Sequence, residues 1–375
     1  MEDISLQSRI DALTEEQVLI QDSAVAFIAQ DEELKKTRAS RFVQPGFDTE
    51  VWREMAELGW AGFLVPEAYD GIGLGFNELH TVLIQLGKGL VPAPFVATGV
   101  VAARALIDCD NESVKKEKLP ALVVGGWKPA LAWQEARGSL SVSAQQVTVS
   151  DGKINGVKLF VPDAGGADDF IVSAAGPNGT ELYLVNREAS GLSIDYEQRI
   201  DGGFYGTLNF QDVAIGERLA GADKAEVILA RAIDEGCLAI SAELLGVMTR
   251  ALELTVDYLQ QRVQFDKPIG SFQALQHKSV DLFIQSEISR SVVLQTAALF
   301  DGEPSDRERA VAASQVKARC ADAALMITKA SIQLHGGIGY TDEANIGLYL
   351  KKAMYLASWL GNATTHRKRY AELTL

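Results

Sequence analysis

From about Thr14 to Lys118 the apolar residues recur with a mostly helical spacing. In Phe47-Asp48-Thr49-Glu50-Val51-Trp52-Arg53-Glu54-Met55-Ala56-Glu57-Leu58-Gly59, Asp48 or Thr49 is suited to N-cap a helix. Gly59 stands where a left-handed terminating residue is wanted. Val65 to Gly75 then reads as a glycine-punctuated loop. From about Leu119 to Ala225 the period shortens to near two, with strands expected over Ser141–Val149, Lys153–Val161, Phe170–Val172 and Leu182–Val185. Such short runs between turns predict a compact antiparallel sandwich or barrel. The helical period then returns, over Glu226–Arg262, Phe272 to about Phe300 and Asp306 to about His335. Long helices with apolar stripes and few breakers bury those stripes against each other in a bundle. The expected organisation is an α+β multidomain chain: a helical domain over 1–118, a β domain over 119–225 and a helical bundle over 226–375.

Composition narrows the function more than the fold. The 375 residues are 47% hydrophobic and 23% charged, enough for a sizeable core and against a largely disordered chain. With 35 Lys+Arg against 50 Asp+Glu, the net charge of −15 argues against nucleic acid as a partner, because phosphate backbones need clustered cations. Cys109, Cys237 and Cys320 are scattered and lack C-x-x-C spacing, so they read as reduced, buried thiols. No basic n-region precedes an apolar stretch at the N-terminus. The most apolar run, Gly89–Ala103, is shorter than the ~20 residues of a membrane span and is broken by Pro92 and Pro94. A cytoplasmic protein without a membrane span is expected.

Hydrolase, P-loop and dinucleotide-fold signatures are missing, and His80, His277, His335 and His366 are too scattered for a metal cage. Two late segments carry chemistry. Gln261–Gln273 joins two helices and holds Arg262, suited to phosphate oxygens, and Phe265, suited to a planar ring. Gln333-Leu334-His335-Gly336-Gly337-Ile338-Gly339-Tyr340 is glycine-rich, so its N–H groups suit a pyrophosphate. Alone, each is equally well a helix connection or a C-cap.

Together, at this spacing in a helical–β–helical chain, they resemble the acyl-CoA dehydrogenase family of flavoproteins. Trp52–Gly75, Leu86-Gly87 with Pro92-Ala93-Pro94-Phe95, and Gly156-Val157-Lys158 with Ala164 and Ala167-Asp168 fit the same family. The resemblance implies a helical N-domain, a β middle domain, a four-helix C-domain and FAD as cofactor. Arg262 and Phe265 match positions at the FAD diphosphate and adenine, Gln333 and Gly337 match positions that a neighbouring subunit brings to the same cofactor, and Gly336 falls among the cofactor-binding positions. The implied reaction is α,β-desaturation of an acyl-CoA, with electron-transfer flavoprotein as the electron acceptor.

That reaction needs a carboxylate base within ~3 Å of the α-proton and hydrogen bonds to the thioester carbonyl. In most of the family the base is a Glu just before the Gly of an E-G-T motif, and here that position is Leu360, followed by Gly361 and Asn362. The backbone N–H of Leu360 can still serve the carbonyl, and Asn362 falls among the cofactor-binding positions. Other members carry the base on the preceding long helix, at the position of Gly236. Glu235 adjoins it, and Glu243 lies seven residues further, on nearly the same face. The base is then Glu243, Glu235 or a group on a partner chain, while each Glu equally suits a structural ion pair.

Asp266 stands where the family has Gly, and Gln134 and Pro162 stand where it has flavin-binding hydroxyls. Ala344–Ala353 resembles a subgroup acting on bulky acyl-CoAs, such as steroid side chains or pimeloyl-CoA, often with two unlike subunits sharing each flavin. A second acyl-CoA dehydrogenase-like subunit is therefore expected. A flavin oxidase or monooxygenase on the same fold, and a non-catalytic structural subunit, are the alternatives.

Overall fold

A computed structural model describes residues 13–31 and 33–375. Asp48 provides the cap expected near it: its carboxylate accepts from the N–H groups of Glu50 and Val51 at 2.9 and 3.4 Å, and Gly59 is left-handed at φ +81°. The capped helix is α3 (Thr49–Glu57), preceded by α1 (Glu15–Ile28) and α2 (Lys35–Ser40). After it come α4 (Phe76–Lys88), a π-helical segment Phe95–Ala102 that runs into α5 (Ala103–Ile107), and α6 (Glu112–Val123). The last of these crosses the boundary expected at 118.

Helix α4 takes its N-cap from far along the chain. Gly75 precedes it, and the Asp301 carboxylate accepts from the Phe76 and Asn77 N–H groups at 2.7 Å each. A Cβ at Gly75 would lie 2.5 Å from that carboxylate, so only glycine admits the cap.

The middle region is one eight-stranded mixed sheet, ordered β6-β7-β3-β2-β4-β5-β8 with β1 beside β4. Its strands are β1 (Pro129–Ala132), β2 (Thr148–Ser150), β3 (Lys153–Pro162), β4 (Asp169–Gly176), β5 (Gly179–Asn186), β6 (Leu192–Gln198), β7 (Phe204–Ala214) and β8 (Glu217–Ala220). Most pairs are antiparallel, as expected, but β1 and β2 both run parallel to β4. The strand expected over Ser141–Val149 is a loop until Thr148. Local hydrogen bonds divert its backbone: the Ser139 and Ser141 hydroxyls accept from the N–H groups of Ser141 and Ser143. The Glu135 carboxylate accepts from Gln145, Gln146 and Val147.

The C-terminal region has three long helices, α7 (Ala225–Gln261), α8 (Gln273–Asp301) and α9 (Asp306–His335). Shorter α10 (Ile346–Ser358) and α11 (Ala363–Thr374) pack on α9 and complete the expected helical bundle. Between α7 and α8, Val263–Gln264 and Lys267–Pro268 pair as a small hairpin. Every residue of α7 from Ala232 to Met248 is buried, because α4, α5, the π-helical segment, α9 and α10 surround it. Polar side chains on that stretch must find partners inside the protein.

Candidate functional site

A cleft of about 490 Å³ opens at the junction of the sheet and the bundle. That is within the roughly 300–1,000 Å³ of small-molecule sites. Trp133, Gln134, Phe160 and Tyr205 line it from the sheet, and Tyr355, Trp359 and Leu360 from the bundle. A β-bulge between Lys158 and Val161, with Phe160 left-handed at φ +54°, sets the Phe160 ring in this wall. Phe160 meets Tyr205 edge-on at 5.8 Å, Tyr205 meets Tyr355 at 5.9 Å, and Tyr355 stacks on Trp359 at 5.7 Å.

Arg199 locks the two walls together. It pairs with Asp163 at 3.0 Å and Asp201 at 3.1 Å, and its guanidinium lies 3.9 Å from the Tyr355 ring centroid. Burial works against its charge, but Tyr355 and the two aspartates outweigh this and raise its pKa. Burial pushes the Tyr205 and Tyr355 phenols up, so both stay neutral. Arg137 lies 5.5 Å from the Phe160 ring at the cleft rim and has no ion-pair partner among the described residues.

The two positions at which a base is expected lie against each other, and one of them, Leu360, lines this cleft. A Cβ added to Gly236 would sit 2.7 Å from Leu360 Cδ1 and 2.7 Å from Val101 Cγ2. Leucine therefore fills the point that a carboxylate from either strand of chain would reach. Leu360 is left-handed at φ +56° and Gly361 at φ +96°, and the turn is held from beneath. His366 Nε2 donates to the Leu360 carbonyl at 2.8 Å, and the Lys317 ammonium donates to the Gly361 carbonyl at 2.8 Å and the Ala357 carbonyl at 3.2 Å. Burial, and then the Lys317 charge, push His366 down to about 3, so it is a neutral Nε2–H imidazole. Burial pulls Lys317 down to about 8 and lifts the neighbouring Cys237 to about 12, so that thiol stays protonated.

Glu235 and Glu243 do not line the cleft. Buried Glu235 pairs with Arg104 at 2.6 Å and Arg231 at 3.0 Å. Glu243 pairs with Lys352 at 2.7 Å, with both side chains largely buried. The carboxylate that does line the cleft is Glu197, exposed at the end of β6. Asn362 lines it too, but its side-chain oxygen caps α11 by accepting from the Thr365 N–H at 3.0 Å. Gln134 donates internally, to the carbonyls of Ala136 and Ser139.

The expected phosphate-binding segments lie elsewhere, at one end of the bundle. Tyr258, one turn before Arg262, stacks on His335 at 4.6 Å and 20°. Arg262 and Phe265 follow the C-terminal end of α7, and Gln333, Gly336 and Gly337 lie at the C-terminal end of α9, so the two segments are near one another within this chain. The hairpin turn has Phe265 and Asp266 left-handed at φ +54° and +60°, a geometry Asp tolerates better than most residues, which accommodates the missing glycine. Phe265 is 85% exposed and Tyr340 83%. Arg262 has no ion-pair partner among the described residues, and nothing lies within 4 Å of a Cβ placed on Gly336 or Gly337. This end presents an open backbone, a free cation and an uncovered ring. Those features fit a dinucleotide's diphosphate and adenine.

Sequence reasoning missed Arg199, Lys317, His366, Arg137 and Glu197. The one available signal was Lys317, a lone lysine in the small-residue run Ala310–Ala324.

Helices, sheet and helices around a junctional cleft have the architecture of the acyl-CoA dehydrogenase fold. The chain belongs to the acyl-CoA dehydrogenase family: residues 14–126 match its N-terminal domain and residues 226–374 its C-terminal domain. It is 28% identical to acyl-CoA dehydrogenase IpdE2 of Mycolicibacterium smegmatis, covering 93% of this chain and 96% of that one. Among solved structures, the steroid ACAD Tcur3481-Tcur3483 is 30% identical with a TM-score of 0.87, covering 96% of this chain and 98% of that one. Butyryl-CoA dehydrogenase from Megasphaera elsdenii is 25% identical with a TM-score of 0.86, covering 96% and 98%. Among the described residues no helix is long and apolar enough to cross a membrane.

Proposed function

We propose that this chain is the base-lacking subunit of a heteromeric, FAD-dependent acyl-CoA dehydrogenase. The α,β-desaturation of the thioester proceeds in the cleft of a second, related chain, and the bundle end of this chain completes that chain's FAD site. One observation carries the reading: Leu360 packs where a Gly236 side chain would lie, so neither base position holds a carboxylate. Glu235 and Glu243 are committed to ion pairs, whose disruption would leave buried charges uncompensated.

At the bundle end Arg262 would hold the FAD diphosphate and Phe265 its adenine. Gly336 and Gly337 would let the backbone approach closely, and Gln333 would add an amide. Bound there, FAD supplies the acceptor for the β-hydride, and electron-transfer flavoprotein takes the electrons onward. Gln134 in this chain's own cleft, and Pro162 at the end of β3, supply no hydroxyl for a flavin ring, which supports the partner's cleft as the redox centre. The likeness to a steroid ACAD with a two-part designation supports a ring-bearing acyl-CoA and a second subunit.

The test is co-expression with candidate partner chains, read by native mass, flavin absorbance and dye reduction by acyl-CoA. A colourless chain that becomes yellow and active only with a partner is the expected result. A yellow, active homo-oligomer would sink the reading. One observation favours a second reading, with the base in this chain: Glu197 lines the cleft. An assembled complex whose turnover collapses in Glu197→Gln would select it.

A further inference from the structure

The glycine-rich segment between α9 and α10 is held at its far end by the N-terminal domain. Arg38 on α2 donates from Nη1 to the Asp342 carbonyl at 2.8 Å and from Nη2 to Asn345 Oδ1 at 2.8 Å, across more than three hundred residues of sequence. Arg41, just past α2, pairs with the Asp342 carboxylate at 3.2 Å, and Lys351 on α10 stands 3.6 Å from it. The Arg41 hydrogen bond, and then its charge, hold the Asp342 carboxyl below its ordinary value.

Two details separate this contact from an ordinary surface ion pair. Asn345 stands at the N-cap of α10, a place its side chain suits, yet it caps no N–H of that helix; its oxygen accepts from Arg38 instead. The Arg41 side chain is only 9% exposed, and its stem lies against Gly202, where a Cβ would come within 2.7 Å of Arg41 Cγ. The next residue, Phe42, donates its N–H to the Gly202 carbonyl at 2.7 Å. Arg41 is thus fixed from the sheet as it reaches Asp342.

Between its ends the segment is sparsely held. Its near end is set by the His335 ring, which stacks on Tyr258 and donates from Nδ1 to the Ser331 carbonyl at 2.8 Å. Gly339 packs on the last turn of α9, where a Cβ would lie 2.6 Å from the Ile332 carbonyl oxygen. Gly336 and Gly337 meet nothing, and Tyr340 is exposed. An open backbone binds a diphosphate well only when its N–H groups are already oriented, because ordering them on binding costs affinity.

We propose that Arg38 and Arg41 are positioning residues for this cradle: from the N-terminal domain they fix the far end of Gly336–Tyr340 through Asp342 and Asn345, and so raise the chain's affinity for FAD. They act through the segment and not by contact with the dinucleotide. The inference rests on the assignment of the bundle end as an FAD-binding surface.

Amide hydrogen exchange on the purified full-length chain reads the clamp without any cofactor. Arg38→Met and Asn345→Ala remove opposite sides of one contact, and each should speed exchange across residues 336–341 by roughly five- to tenfold, with the body of α9 unchanged. The double variant should exchange no faster than Arg38→Met. FAD titration followed by flavin fluorescence, on the chain alone and on any assembly that retains flavin, reads the consequence. Arg38→Met, Arg41→Met and Asn345→Ala should each weaken FAD binding by roughly five- to tenfold, the worth of about one hydrogen bond. Arg38→Lys keeps the charge but not the two-pronged donor, and should recover only part of the loss. Melting curves give the folded fraction; a merely structural defect lowers that fraction and leaves the Kd of the folded chain alone. Asn345→Ala, at a position that caps nothing, carries the comparison if an arginine variant does not fold. Unchanged exchange in Arg38→Met and Asn345→Ala overturns the clamp. Faster exchange with FAD affinity kept, in a chain whose FAD affinity falls in Arg262→Met, overturns the link to the cofactor. FAD affinity indifferent to Arg262→Met as well overturns the bundle-end assignment, and this inference with it.

Discussion

Gly236 on α7 and Leu360 after α10 occupy one point in space, with 2.7 Å between a Cβ on the first and Cδ1 of the second. The two positions at which the resemblance places a base thus lie side by side, and here neither carries a carboxylate. Gly236→Ala should overpack the contact and destabilise the chain by about 1–3 kcal/mol. Leu360→Ala should relieve part of that loss, since Val101 Cγ2 stands equally close, and the pair will still be non-additive in a denaturation-based double-mutant cycle. Additive losses would show that the residues do not touch.

Glu243 is assigned here to Lys352 and not to proton transfer. Glu243→Gln should leave the buried ammonium unpaired and lower stability by roughly 3–5 kcal/mol. Turnover per folded complex should change less than about twofold, far from the ~10²–10⁴ expected on losing a general base. Melting temperature and kcat measured on the same preparations separate the two.

Arg199 is the cation between two buried carboxylates and an aromatic face. Arg199→Met keeps much of the volume but strands Asp163 and Asp201, and should cost about 3–5 kcal/mol. Replacing both aspartates by asparagine in the Met variant should recover part of the loss in urea denaturation. No recovery would place the defect in packing.

Acid should act through His366. Its pKa is about 3 in the folded chain against 6.5 unfolded, so below about 6.5 the unfolded state binds the extra proton. The contribution is complete above that pH and is lost as pH falls towards 3. Between about pH 7 and 4.5 this single group should remove roughly 2–3 kcal/mol. His366→Gln cannot titrate, so its stability should decline less steeply over the same interval. Parallel slopes for variant and wild type would refute the assignment.

The Asp301 carboxylate caps a helix more than two hundred residues away in sequence. Asp301→Ala should cost about 0.5–2 kcal/mol and increase amide exchange at the start of α4 first. Gly75→Ala should be at least as harmful, because its methyl would collide with the same carboxylate.

The order helix, strand, helix was legible because burial periods of 3.6 and 2 are local properties of a chain, and α9 was delimited at Asp306 and His335 from them. The Gly59 terminator and the Asp48 cap were equally local. Ser141–Val147 misled, since alternating side chains say nothing of serines and a glutamate that take the backbone N–H groups instead. The motif segments at Arg262 and Gln333 were visible as sequence, but their meeting at one bundle end depends on Tyr258 stacking on His335.

By itself the sequence determined the helix–strand–helix order, the family and the absence of a glutamate at two positions, because composition and spacing are written in neighbours. Only the tertiary structure decided that those two positions are one place, that Glu235 and Glu243 are bound to cations, and that Lys317 and His366 lie beneath the Leu360 turn. Each of these relations joins residues from separate helices, and a hydrogen bond or ion pair exists only where folding brings such residues within about 3 Å.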